Sequence, residues 1–142
     1  MKSLLIAAVG LCLSASIALA QDVCPPAKVT NVVVTTGKTT ATVSFTFSGD
    51  DCNTGNATSF LVLKSSTSFN DSNWGNATIM LNTGADTQGS SDCYEFGPTG
   101  LSCGQTYYWA VVIVDDAGNR TLSNVVQATQ LGCGSHQEVI CP

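Results

Sequence analysis

Gln105–Val114 reads QTYYWAVVIV, a run dense in aromatic and β-branched side chains that fits a strand and no amphipathic helix. It ends in the turn-forming Asp116-Ala117-Gly118-Asn119, and Thr121–Thr129 follows as a closing strand. Upstream the same period of two recurs. Thr39–Phe47 (TTATVSFTF) puts Ala41, Val43, Phe45 and Phe47 on one face and Thr or Ser on the other, the pattern of a half-buried strand. Lys28–Val34 (KVTNVVV) and Ser59–Ser65 (SFLVLKS) add two more strands, the latter with Phe60, Val62 and Lys64 on one side. Short strands are expected around 77–81 and 93–96. Between 65 and 91 the chain is otherwise rich in Ser, Asn, Thr and Gly, broken by Phe69, Trp74 and Ile79-Met80-Leu81.

Six or seven short strands with turn signals between them describe an antiparallel, all-β sandwich. No segment offers the crossover helix that a parallel βαβ sheet needs. The 142 residues allow one domain of ordinary size. With 11% charged residues and a net charge of -5, the chain is neither a polyelectrolyte tail nor suited to nucleic acid, which needs a basic face.

Residues 1–20 read as a secretory signal peptide. Lys2 opens it, Leu4–Ala20 is apolar or small, and Ala18-Leu19-Ala20 forms a small-x-small cleavage site. No later run is apolar enough to span a bilayer, so an exported, extracellular protein is expected (periplasmic in a Gram-negative host). Residues 21–130 form the domain and 131–142 a short cysteine-containing tail. Beyond Cys12 in the leader, six cysteines remain: Cys24, Cys52, Cys93, Cys103, Cys133 and Cys141. An even count in a short exported chain reads as a disulfide framework, and the close C-x-x-C pairs of structural zinc are missing.

Gly100–Asn119 (GLSCGQTYYWAVVIVDDAGN) resembles the E–F corner, F strand and F–G turn of fibronectin type III domains. In that family a leucine stands six positions before the tyrosine of the tyrosine corner, the spacing of Leu101 and Tyr107 here. Core positions then fall on Trp109, Val111 and Ile113. Pro26, Val29, Val32 and Val34 are similar to the family's A strand, and Thr42–Phe45 to its B strand. The resemblance covers about Pro25–Gln130 and implies an immunoglobulin-like sandwich of about seven strands that works by binding. Physically, the Tyr107 hydroxyl needs a partner once its ring is buried, and backbone near Leu101 would supply it.

Chemistry is sparse. His136 is the only histidine, in the polar tail, and the sequence holds no G-x-S-x-G, no H-E-x-x-H, no phosphate-cradling glycine loop and no dinucleotide fingerprint. The chain reads as no enzyme and implies no cofactor. In a sandwich of this type the B–C and F–G loops share an end, which gathers Asp50 and Asp51 with Asp115 and Asp116, and with Asp86 from a neighbouring loop. Calcium takes roughly 6–8 oxygen ligands and suits loop carboxylates, but aspartate is also a favoured turn former. Trp74, in a polar segment, is either a ring for stacking on a sugar or a protein partner, or a cover for an open face of the sandwich. Asn56, Asn70, Asn76 and Asn119 head N-x-S/T sequons, glycan acceptors in a eukaryotic host.

For the cysteines, Cys24–Cys52 is expected at the B–C end, Cys93–Cys103 about the E–F corner and Cys133–Cys141 in the tail, with Cys103–Cys133 as the alternative to the second. The functional expectation is a secreted module for adhesion, matrix or cell-surface binding to a protein or glycan ligand. The alternative is a secreted effector or inhibitor of another protein, with carbohydrate binding third.

Overall fold

The computed structural model describes residues 24–142; the leader read at 1–20 lies outside the described residues. Eight strands and one 3-10 turn (Trp74–Asn76) make up the regular structure there. β1 (Val33–Thr36), β2 (Ala41–Thr46) and β5 (Ser91–Phe96) form one antiparallel sheet in the order β1-β2-β5. β4 (Thr78–Gly84), β3 (Ser59–Ser65), β6 (Thr106–Val114) and β7 (Arg120–Leu122) form the other, with β8 (Val126–Thr129) also paired to β6. The two sheets enclose one core, as alternating inward residues require.

Alternation explains the packing. β2 sends Ala41, Val43 and Phe45 inward; β3 sends Phe60 and Val62; β6 sends Tyr107, Trp109, Val111 and Ile113. Phe60 meets Phe45 and Phe47 edge-on, with centroids 5.4 and 5.2 Å apart, and Phe96 lies 5.6 Å from Trp109. Lys64, in phase with Phe60 and Val62, is buried too. Its ammonium donates to the Gly100 carbonyl and sits 4.8 Å from the Tyr107 ring centroid, so the cation is held by oxygen and by π-density.

Both central strands are also apolar in the opposite phase. Leu61 and Leu63 of β3 and Ala110 and Val112 of β6 form a second cluster with Phe69 and Leu122. Their cover is the loop 66–77, which lays Phe69, Trp74 and Ala77 against that outer face. β3 and β6 are therefore buried on both sides, which a near-continuous hydrophobic run demands.

Three expectations need correction. The ladder begins at Val33 rather than at Lys28, because the Asn31 side chain takes its place: its carbonyl accepts from Thr46 N (3.2 Å) and its amide donates to Thr46 Oγ1 (2.8 Å). The closing strand is split at Ser123, whose hydroxyl accepts from Val111 N (2.9 Å) and donates to Asn124 O (2.8 Å). A side chain thus stands in for the ladder, and the last strand becomes β7 and β8.

The third correction concerns the bridges. Cys24–Cys52 is as expected and Cys103–Cys133 is the alternative given for the second pair (Cα separation 5.1 Å), but Cys93 pairs with Cys141 (5.6 Å) rather than Cys133 with Cys141. Cys93 pairs across from Ser44 on the outward face of β5, while Cys103 lies beyond the strand in the corner that follows, so the two diverge. The tail supplies the partner of each. It leaves the corner at Cys133, passes over Gly37 and crosses the outer face of the three-stranded sheet to Cys141, whose amide donates to Glu95 (2.7 Å).

Candidate functional site

Three loops meet at one end of the sandwich. Thr58 N donates to Val114 O (2.9 Å), which joins the β2–β3 loop to the end of β6. Gln88 N donates to Asn56 Oδ1 (2.8 Å) and Phe47 N to Ser90 O (2.9 Å), which adds the β4–β5 loop. Pro26 and Cys52 form a parallel bridge beside the Cys24–Cys52 disulfide, and the first described residues are fixed to the same end.

This end carries the predicted carboxylates, in two roles. Asp50 and Asp115 are buried. Asp115 closes its own turn: Oδ1 accepts from Asn119 N (2.6 Å), Oδ2 from Asn119 Nδ2 (2.7 Å), and Gly118 takes a positive φ of 86° to let the chain reverse. Asp50 accepts from Asp51 N (3.0 Å) and packs so closely on Gly55 that a Cβ there would lie 2.1 Å from Oδ1. Asp51, Asp86 and Asp116 are exposed. Asp86 also accepts from Thr87 N (2.7 Å).

The calcium reading meets a geometric obstacle. Asp50 and Asp115 have directed oxygens at backbone N–H groups, and among the described residues no group of three or more His, Cys, Asp or Glu side chains is arranged to hold a metal ion.

Trp74 lies on the outer face of the five-stranded sheet, half-buried against the second cluster, with the Arg120 guanidinium 6.0 Å from its ring centroid. The loop that carries it is stitched by Asn70, whose side chain accepts from Ser72 N (2.9 Å) and Oγ (2.6 Å). Among the sequon asparagines, Asn56, Asn70 and Asn76 are exposed, whereas the Asn119 amide is spent on Asp115. His136 is exposed in the tail.

The corner behaves as its spacing requires. The Tyr107 hydroxyl accepts from Ser102 N (3.1 Å), and Leu101 is buried beside it. This tyrosine corner, between a three-stranded and a five-stranded antiparallel sheet, decides the architecture. The fold is that of a fibronectin type III domain.

Solved structures agree. The sixth fibronectin type III domain of human fibronectin type III domain containing protein 3 superposes with a TM-score of 0.57 at 21% identity, over 80% of this chain and 93% of that one. A further fibronectin type III domain of the same human protein gives 0.54 at 17% identity, over 80% and 94%. The fourth FNIII domain of a human protein gives 0.55 at 13% identity, over 89% and 98%. No family model matches the sequence, and no curated protein matches it. The likeness is one of fold, and fibronectin type III domains are in general non-catalytic binding modules.

One interacting pair left little trace in the sequence. Tyr94 donates its hydroxyl to Asp92 Oδ2 (2.7 Å), two residues away on the same face of β5. Burial, then the Asp92 hydrogen bond and its negative charge, raise the Tyr94 phenol well above its ordinary range. The spacing Asp92-x-Tyr94 is the only hint a sequence gives.

Proposed function

We propose that this chain is an exported, non-catalytic interaction module that engages a basic surface on a protein partner through its acidic loop end, in an adhesion, matrix or cell-surface role. One observation carries the reading. Asp50 and Asp115 are consumed in holding their own loops, and this braces an end from which Asp51, Asp86 and Asp116 are exposed. Braced loops lose little conformational freedom on binding, the general advantage of a preorganised surface. Clustered charge of one sign adds attraction for a cationic partner and raises its association rate. Three disulfides suit an oxidising, extracellular setting, and among the described residues no helix is long and apolar enough to cross a membrane.

The test is capture from cell-surface and matrix extracts with the oxidised protein against an Asp86→Asn, Asp116→Asn variant, at low and at raised salt. Capture that weakens in the variant and with salt is expected. Capture indifferent to both overturns the proposal.

A further inference from the structure

Where the tail crosses the three-stranded sheet it leaves a groove of about 490 Å³. Its floor is a stripe of outward hydroxyls from Thr35 of β1, Thr42 and Ser44 of β2 and Ser91 of β5. Its wall is Val139, Ile140 and Pro142, fixed in place by the Cys93–Cys141 bridge. Thr42 is only 6% exposed although it points away from the core, so the tail does cover this face. Ile140, 74% exposed, stands at the lip with its aliphatic side chain uncovered.

The lining selects by chemistry. It holds no Lys, Arg or His, so phosphates, sulfates and carboxylates find no counter-charge. It holds no aromatic ring, so a flat apolar ligand or a nucleobase has nothing to stack on. The Asp92 carboxylate in the lining already accepts from the Tyr94 hydroxyl, so what the groove offers is the hydroxyl groups of Thr35, Ser44 and Ser91, each able to donate and to accept, beside aliphatic carbon. A ligand that is itself hydroxyl-studded on one side and C–H on the other meets both walls. The volume falls in the range of small-ligand sites, roughly 300–1,000 Å³.

We infer that this groove is a binding site for a short neutral saccharide, of the size of a mono- or disaccharide, and that it exists only while the Cys93–Cys141 bridge holds the tail across the sheet. It is separate from the acidic loop end, so either site can fail without the other.

The test is amide-resonance titration of the isotope-labelled, oxidised protein with cellobiose, maltose, mannobiose and chitobiose. At least one of these is expected to give saturable shifts at Thr35, Ser44, Ser91 and Ile140, with a dissociation constant on the order of 1 mM. A Thr35→Val, Ser44→Ala variant is expected to weaken that sugar about tenfold. Cys93→Ser, Cys141→Ser is expected to abolish binding while resonance dispersion shows the sandwich intact. No saturable shift with any of the four up to about 50 mM, far above that constant, overturns the inference. So do shifts confined to other surfaces, or binding that survives loss of the bridge.

Discussion

Tyr107 reaches back five residues to Ser102, and its hydroxyl accepts the Ser102 amide at 3.1 Å. The same ring lies under the buried ammonium of Lys64, which in turn holds the Gly100 carbonyl. Four residues about one corner thus satisfy one another. Tyr107→Phe keeps the ring and removes the acceptor, so it is expected to lower unfolding stability by about 1–3 kcal/mol, the cost of a stranded amide donor. Urea denaturation with an unchanged m-value checks it.

Lys64→Met retains the aliphatic stem and deletes the cation. The Gly100 carbonyl loses its donor and the Tyr107 ring its cation. A loss of about 1–2 kcal/mol is expected in the same denaturation series, and it should combine non-additively with Tyr107→Phe because the two share a ring.

Tyr94 sets an alkaline limit. Its phenol is raised in the folded state relative to about 10 in an unfolded chain. The folded state therefore holds the proton more tightly, and unfolding releases it. The associated stability is fully present below about pH 10 and is lost as pH rises from there toward the folded value. Melting temperature measured between neutral and strongly alkaline pH should fall less steeply for Tyr94→Phe than for the parent protein.

The bridges should differ in worth. Cys93–Cys141 closes a span of 48 residues, more than the 30 of Cys103–Cys133. Loop length alone would rank it first, but the second bridge already lies within that span. The segment beyond Cys133, moreover, has few backbone hydrogen bonds of its own. A cross-link to weakly held chain restrains the unfolded and folded states alike. Cys93→Ser, Cys141→Ser is expected to cost under about 1 kcal/mol, and Cys103→Ser, Cys133→Ser about 2–4 kcal/mol. Hydrogen exchange should accelerate across residues 134–142 in the first variant only.

Calcium in the millimolar range is expected to leave the melting temperature unchanged, since Asp50 and Asp115 already serve backbone donors. A rise in melting temperature would show that the ion outcompetes those bonds.

The sequence was most readable where one principle acted alone. The bounds expected for β3 coincide with those observed, and β6 differs by one residue, because both are dense in apolar side chains between clear turns. The Leu101–Tyr107 spacing located the corner because a buried hydroxyl has few solutions. Misreadings came where side chains replaced backbone. Asn31 and Ser123 substitute for ladder hydrogen bonds, and alternation of apolar residues carries no sign of that. Opposite-phase Leu61, Leu63, Ala110 and Val112 were a usable signal for a covered outer face, and Phe69 and Trp74 were the apolar residues at hand to cover it. At the loop end, aspartates that build turns and aspartates that face outward look alike in sequence; only burial separates Asp115 from Asp116.

The loop that lies on the five-stranded sheet and the tail that straps the other give the sandwich cladding on both flanks. On the readings proposed above, a bulky partner comes end-on, whereas a small solute slips beneath the strap. Substitutions on either flank disturb packing, but exposed tip residues outside the bridge and the turns' glycines, such as Asp86 and Asp116, can change with neither layer noticing. Diversification among close variants of this protein should therefore gather at that pole.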